Sequence, residues 1–120
     1  MGLLSKMLGG RGGEVAINQT LRDAISVVPG VSGHDVSYQH GPAGAAQPGR
    51  VSGVAQVRDA EALAQVLRTA YRVLIGLLGD HAHDVVFDIT GQTPEGTVTP
   101  RDLGLTQPPG GREVGVRLAL

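Results

Sequence analysis

The 120-residue chain contains no cysteine and no tryptophan. The lack of cysteine excludes disulfide bonds, zinc–thiolate sites and thiol nucleophiles. The chain also has only two tyrosines and one phenylalanine, so its core has to be built from valine, leucine, isoleucine and alanine. The large aromatic side chains that dominate many binding interfaces are therefore scarce.

An excess of charge of either sign is also missing, because ten lysines and arginines face 11 acidic residues and the net charge is −1. Without a basic surplus to neutralise phosphates, we expect no nucleic-acid partner. No run reaches the ~18 apolar residues that a membrane span needs, so we expect no integral membrane segment. The N-terminus does not have the pattern of a secretory signal, and we expect a cytoplasmic protein.

What is present fits one small domain, since 41% of the residues are apolar and the length suits a single core. Four glycines between positions 9 and 13 indicate a flexible joint, so we expect an N-terminal arm at 1–13 and one α+β domain at 14–120. The apolar residues of the arm would share one side of a short helix. Peripheral contact of this arm with a membrane is one hypothesis.

The apolar pattern predicts the order strand, helix, strand, strand, helix, strand, with a further strand at the C-terminus. Val15 and Ile17 alternate in a short first strand, Glu14–Ile17. The strongest element is a helix over residues 60–78, which Asp59 can cap. Period-2 alternation predicts the other strands at residues 35–39, 50–58, 84–90 and 113–120.

This order is the ferredoxin-like split β-α-β arrangement (βαββαβ), an α+β fold with an antiparallel sheet and two helices on one face. The extra C-terminal strand has three alternative places. It would add to a sheet edge, replace the weakly indicated first strand, or swap onto a neighbouring subunit.

Two apolar features indicate a protein partner, and the chain itself is one candidate, which would give a homo-oligomer. The C-terminal strand alternates cleanly, and the end of the long helix is apolar nearly all round. The predicted partner-binding residues are Val114, Val116, Leu118 and Leu120 on the strand and Leu77 and Leu78 on the helix.

The densest polar group contains His81 and His83, which would point the same way on an extended chain. His34 and His40 bracket a predicted strand and share its parity, so the four imidazoles together are a candidate site for Zn, Ni or Cu. An H-x-H pattern alone often occurs without a metal, and the alternative is a polar loop with exposed histidines.

No catalytic motif is found: serines lack a G-x-S-x-G context, and neither the phosphate-loop nor the dinucleotide fingerprint occurs. RNA-recognition domains stack bases on aromatic residues of their central strands, whereas Phe87 here is predicted to point inward. We therefore expect a non-enzymatic interaction or structural module without a cofactor. The alternative is a small metal- or ligand-binding domain that uses the histidines.

Some passages resemble a loose group of uncharacterised small α/β proteins of actinobacteria, some of them lipoproteins. They are Val27–Val31 leading into Val36–Tyr38, Gly49–Gly53, Leu67–Arg72, Gly96–Thr99 and Asp102–Leu105. The resemblance covers residues 20–105 and implies no activity and no site residues, and this chain lacks the cysteine that carries the lipid. The order of elements is also similar to that of small envelope-associated modules of the BON type.

Overall fold

The computed structural model of the chain describes residues 11–41 and 49–118. These residues form an α+β fold with one open five-stranded sheet and three α-helices. The helices are α1 (Arg11–Ser26), α2 (Ala60–Leu78) and α3 (Gly111–Arg117), with 3₁₀ helices at Gly79–Asp84 and Pro100–Leu103; the strands are β1 (Val31–His34), β2 (Ser37–His40), β3 (Gly49–Val57), β4 (Val86–Thr93) and β5 (Gly96–Val98).

Strands β1 and β2 are two halves of one interrupted strand, because both pair with β3 in the antiparallel sense. At the interruption, the Asp35 N–H donates to the Val54 carbonyl oxygen (3.1 Å) and Asp35 Oδ1 accepts from the Val54 N–H (2.7 Å). The opposite residue, Gly53, has φ +145°, and a Cβ there would lie 2.7 Å from Val36 Cα. Only glycine fits this close approach, so Gly53 fixes the place where the strand breaks.

Helix α2 connects β3 to β4 and makes these two central strands parallel, with Arg50 opposite Val86 and Gln56 opposite Gln92. Asp59 Oδ1 accepts the Ala62 N–H at 2.9 Å, so the predicted helix and its cap are confirmed. Its 19 residues span about 28 Å and return the chain to the end where β3 began. The sheet is therefore mixed, with β1/β2, β3, β4 and β5 side by side, and the expected antiparallel sheet is wrong.

The core lies between α1, α2 and one face of the sheet. The predicted inward residues of the central strands are buried, and they meet apolar stripes of both helices. Complete burial of one such side chain stabilises the fold by about 1.5–3 kcal/mol. The main contributors are Ile17, Leu21 and Ile25 of α1, Leu63, Leu67 and Leu74 of α2, and Val51, Phe87 and Ile89 of the strands.

The predicted first strand, Glu14–Ile17, is wrong, because these residues lie inside α1. Val15 is 65% exposed while Ile17 is fully buried, and the buried stripe continues at four-residue intervals through Leu21 and Ile25. Two alternating residues fit a helix as well as a strand, and the longer stripe decides for the helix. Of the predicted arm, residues 1–10 lie outside the described residues, and the helix already begins at Arg11.

The predicted C-terminal strand at 113–120 is also wrong, because Gly111–Arg117 form α3. Val114 and Leu118 are four residues apart and both are buried, which a helix allows as readily as a strand does. The guanidinium Nε of Arg68 donates to the Leu118 carbonyl oxygen at 2.9 Å and holds the end of this helix against α2. With both terminal strands replaced by helix, the ferredoxin-like order is not confirmed.

One segment, Ala60–Asp84, would be long and apolar enough to cross a membrane by length and composition, with a mean hydropathy of 1.2. Core helices of folded domains have the same composition. Of the 18-residue stretch of this segment that is apolar enough, 44% is buried inside the fold. The expectation of no integral membrane segment stays a prediction.

Candidate functional site

The sheet face that the described helices leave uncovered carries mostly uncharged polar side chains. Residues directly opposite each other in neighbouring strands point to the same side, so the strand register assigns this face. We call it the open face. The pairing places on it ten exposed or half-buried side chains, Ser37, Gln39, Arg50, Ser52, Val54, Gln56, Asp88, Thr90, Gln92 and Thr97, together with the buried Val86. The exposed Asp35 lies beside Val54, where β1 and β2 are interrupted.

Arg50 and Asp88 form an ion pair on the open face, while the exposed Asp35 carboxylate, beside Val54, accepts the Val54 N–H. Arg50 Nη2 lies 2.6 Å from Asp88 Oδ2, with 48% and 34% of the two side chains exposed. A pair this exposed contributes about 0–1 kcal/mol to stability, so its main effect is to cancel two charges near the start of β3 and β4. Val54, 39% exposed, is a large apolar side chain among the surrounding amides and hydroxyls.

The free edge of β2 is occupied by side chains of α1. The Asn18 side chain accepts the Tyr38 N–H at 2.6 Å and donates to the Tyr38 carbonyl oxygen at 3.0 Å, which is what a neighbouring strand would do. Glu14 Oε2 accepts the His40 N–H at 2.9 Å. We call this the sealed edge; it leaves these backbone groups unable to pair with a strand from another chain.

Tyr38 forms the buried end of the sealed edge. Its hydroxyl oxygen lies 2.9 Å from His40 Nδ1, and burial, followed by the nearby Glu14 carboxylate, raises the pKa of Tyr38 above its ordinary value of 10.0. A Cβ at Gly49 would overlap the tyrosine ring, so glycine at that position makes room for it. The Nε2 atom of His40 is buried without a hydrogen-bond partner among the described residues.

A groove of about 560 Å³ runs between α1 and β2, next to the open face. Glu14 and Arg22 line its two ends, and eight residues of helix separate them by about 12 Å. The four ion pairs found among the described residues do not include Arg22. We call this the α1–β2 groove. Between its ends it is lined by Val15, Asn18, Gln19, Val36, Ser37, Tyr38, Gln39 and Ser52.

The predicted metal ligands are placed on two different parts of the fold. His34 belongs to β1 and His40 to β2, while His81 and His83 belong to the 3₁₀ helix after α2. Across residues 11–41 and 49–118, no three His, Cys, Asp or Glu residues are grouped so that they could hold a metal ion.

The histidine rings have structural contacts instead. His34 Nδ1 accepts the Val36 N–H at 3.1 Å, which supports the break between β1 and β2. His83 Nδ1 lies 3.0 Å from the Tyr71 hydroxyl, and His81 is exposed. Together with the contact between His40 and the Tyr38 hydroxyl, these contacts bind three of the four predicted ligands to residues of their own part of the fold.

The predicted partner-binding residues differ widely in exposure. Val114 and Leu118 are buried in the core, whereas Val116 is 75% exposed on α3. Leu77 and Leu78 are half-buried against the core, and Leu120 lies outside the described residues. Val116 is therefore the predicted residue that a partner would reach most readily.

The chain was compared with known proteins by sequence and by structure. It matches no family model, and no curated protein or solved structure matches it significantly. The resemblance to small actinobacterial proteins stays a prediction.

Proposed function

We propose that this chain is a non-enzymatic protein-interaction module that binds a partner protein on its open face. The observation that carries the proposal is a sheet whose described helices lie on one side, with a surface of mostly uncharged hydrogen-bonding side chains on the other. Ten side chains from four strands share this surface, and most of them are amides or hydroxyls.

The chemistry of the open face indicates the kind of partner. Its cation Arg50 is already paired with Asp88, and Arg58, beside Gln56, with Asp59, so neither is free for phosphate groups. Apart from Val54 it presents no large exposed apolar side chain, so a lipid surface is a poor fit. Neutral hydrogen-bonding groups fit the polar surface of another protein, where amides and hydroxyls can be satisfied in turn.

The same composition supports a non-enzymatic role. General acid–base catalysis relies mostly on histidine, carboxylates or lysine. The open face has no histidine and no lysine, and its carboxylates are held, Asp88 by Arg50 and Asp35 by the Val54 N–H. The sealed edge further indicates that binding uses side chains of the face and does not add a strand to β2.

Site-specific photo-cross-linking in the organism that produces the protein tests this proposal. A photoreactive amino acid is placed at Ser52, Gln56 or Gln92 on the open face, and at Thr20 or Arg72 on the helix side as matched controls. We expect protein adducts from the three face positions and not from the two controls. Adducts of doubled mass would identify a second copy of the chain as the partner, whereas adducts from the helix side alone, or none, would overturn the proposal.

A further inference from the structure

The α1–β2 groove has charge at its two ends and neutral polar groups between them. Glu14 lies at one end and Arg22 at the other, and their backbone positions are about 12 Å apart along the axis of α1. Gln19, Ser37, Gln39 and Ser52 line the space between them. A ligand that is cationic at one end and anionic at the other, with amide groups in between, is complementary to this arrangement.

The floor of the groove is held in place before anything binds. Asn18 makes three hydrogen bonds, with the Tyr38 N–H, the Tyr38 carbonyl oxygen and the Glu14 carbonyl oxygen. Glu14 is positioned by the His40 N–H through Oε2. Because these groups are fixed by the fold, a ligand would not have to order them, which favours binding.

We propose that the α1–β2 groove binds an extended peptide segment with a basic and an acidic side chain four residues apart. An extended chain rises about 3.3 Å per residue, so four residues cover about 13 Å, and the two side chains point to the same side. The basic side chain pairs with Glu14, the acidic one with Arg22, and the peptide groups between them meet Gln19 and Gln39. This inference rests on the proposed function only in taking the partner to be a protein.

The test uses two acetylated and amidated pentapeptides, KSASE and ESASK, with ASASA as the uncharged control. Binding to the isolated full chain is measured by calorimetry and by amide chemical shifts. We expect one of the two charged orders to bind at least about tenfold more tightly than ASASA, with shifts in α1 and β2. Equal binding of all three peptides would overturn the proposal.

Two variants assign the ends of the groove. Arg22→Glu should weaken binding of the preferred peptide about tenfold and improve binding of a KSASK peptide. The control is Arg72→Glu, the same charge change at an exposed residue of α2, which should leave the binding of both peptides unchanged. Glu14→Gln keeps an oxygen for the His40 N–H but removes the charge, and should weaken binding severalfold. An Arg22→Glu variant that binds like the parent chain would overturn the proposal.

The outcome is separable from that of the proposed function. Ser52 lies on both surfaces, so Gln56 and Gln92 decide between them. Peptide binding without cross-links from Gln56 or Gln92 would overturn the open face as the interaction surface and support the groove. Cross-links from Gln56 or Gln92 without peptide binding would support the open face and overturn the groove.

Discussion

Tyr38 links the core, the sealed edge and the groove through one side chain. It is 3% exposed, its backbone is bound by Asn18, and its hydroxyl meets the His40 ring. Burial and the Glu14 carboxylate both disfavour the tyrosinate, which is why the pKa of Tyr38 is raised. The stability of the fold should therefore decrease at alkaline pH, where Tyr38 loses its proton.

Above about pH 10, the unfolded chain releases the Tyr38 proton while the folded chain still holds it. The free energy of unfolding should be unaffected by this group below that pH and should fall as pH rises through the folded pKa. Tyr38→Phe should be less stable at neutral pH, since it loses the contact with His40, but should lack this alkaline loss. Denaturant unfolding of both chains between about pH 8 and 11 measures the difference. Parallel pH profiles for the two chains would contradict the account.

The residues of the groove could be predicted only in part. Alternation along residues 35–39 predicts Asp35, Ser37 and Gln39 on one face, opposite Val36 and Tyr38, and all three are exposed in the structure. Asn18, Glu14 and Arg22 were missed because their role depends on α1 packing against the edge of β2, some 20 residues further along the chain. No local pattern reports such a contact, although asparagine in the middle of a helix is a weak signal of a side chain with a backbone partner.

Among the elements, α1 does two things, since it completes the core and closes an edge of the sheet. Edge strands with unpaired backbone groups invite pairing with other chains, and proteins usually block them. Here the block is the amide of Asn18, with the Glu14 carboxylate beside it. The edge should therefore open when the Asn18 amide is removed.

Asn18→Ala should lower the free energy of unfolding by about 1–3 kcal/mol, because two backbone groups of Tyr38 lose their partners. It should also increase self-association, measured by light scattering at rising concentration. Asn18→Asp keeps the bond from the Tyr38 N–H but cannot donate to the carbonyl oxygen, so an intermediate loss is expected. The neighbouring, exposed Gln19→Ala is the control and should change stability by less than about 0.5 kcal/mol. If Asn18→Ala and Gln19→Ala behave alike, the edge is not held by Asn18.

The elements that could be predicted are the long or strongly patterned ones. Helix α2 and the inward faces of β3 and β4 have enough apolar residues for the spacing of a helix or of a strand to be recognised without ambiguity. The short segment around α3 fits the apolar spacing of a helix and of a strand equally well. Val114 and Leu118 lie on one side of a helix, and they also alternate with Glu113 and Arg117 as in a strand. Strand β5 has only three residues, Gly96–Val98, and its pairing with β4 is a tertiary contact that composition does not indicate.

For the molecule as a whole, the arrangement of layers leaves two surfaces of different chemistry. The helix side carries Val116, the most exposed of the predicted partner-binding residues that the structure describes, with 75% of the residue exposed on α3. The open face carries Val54, 39% exposed, among mostly uncharged polar side chains. The central claim is that the second surface is the one that binds.

The most direct test places one lysine on each surface. With the partner captured by cross-linking, Val54→Lys and Val116→Lys are compared for the amount of partner that co-purifies with the tagged chain. Both side chains are exposed, so both variants should remain folded, which a thermal melt checks. The account predicts that Val54→Lys reduces the partner by at least about tenfold, because a long charged side chain would stand in the middle of the binding surface, while Val116→Lys retains it. Loss of the partner with Val116→Lys and retention with Val54→Lys would contradict the account and place binding on the C-terminal helix.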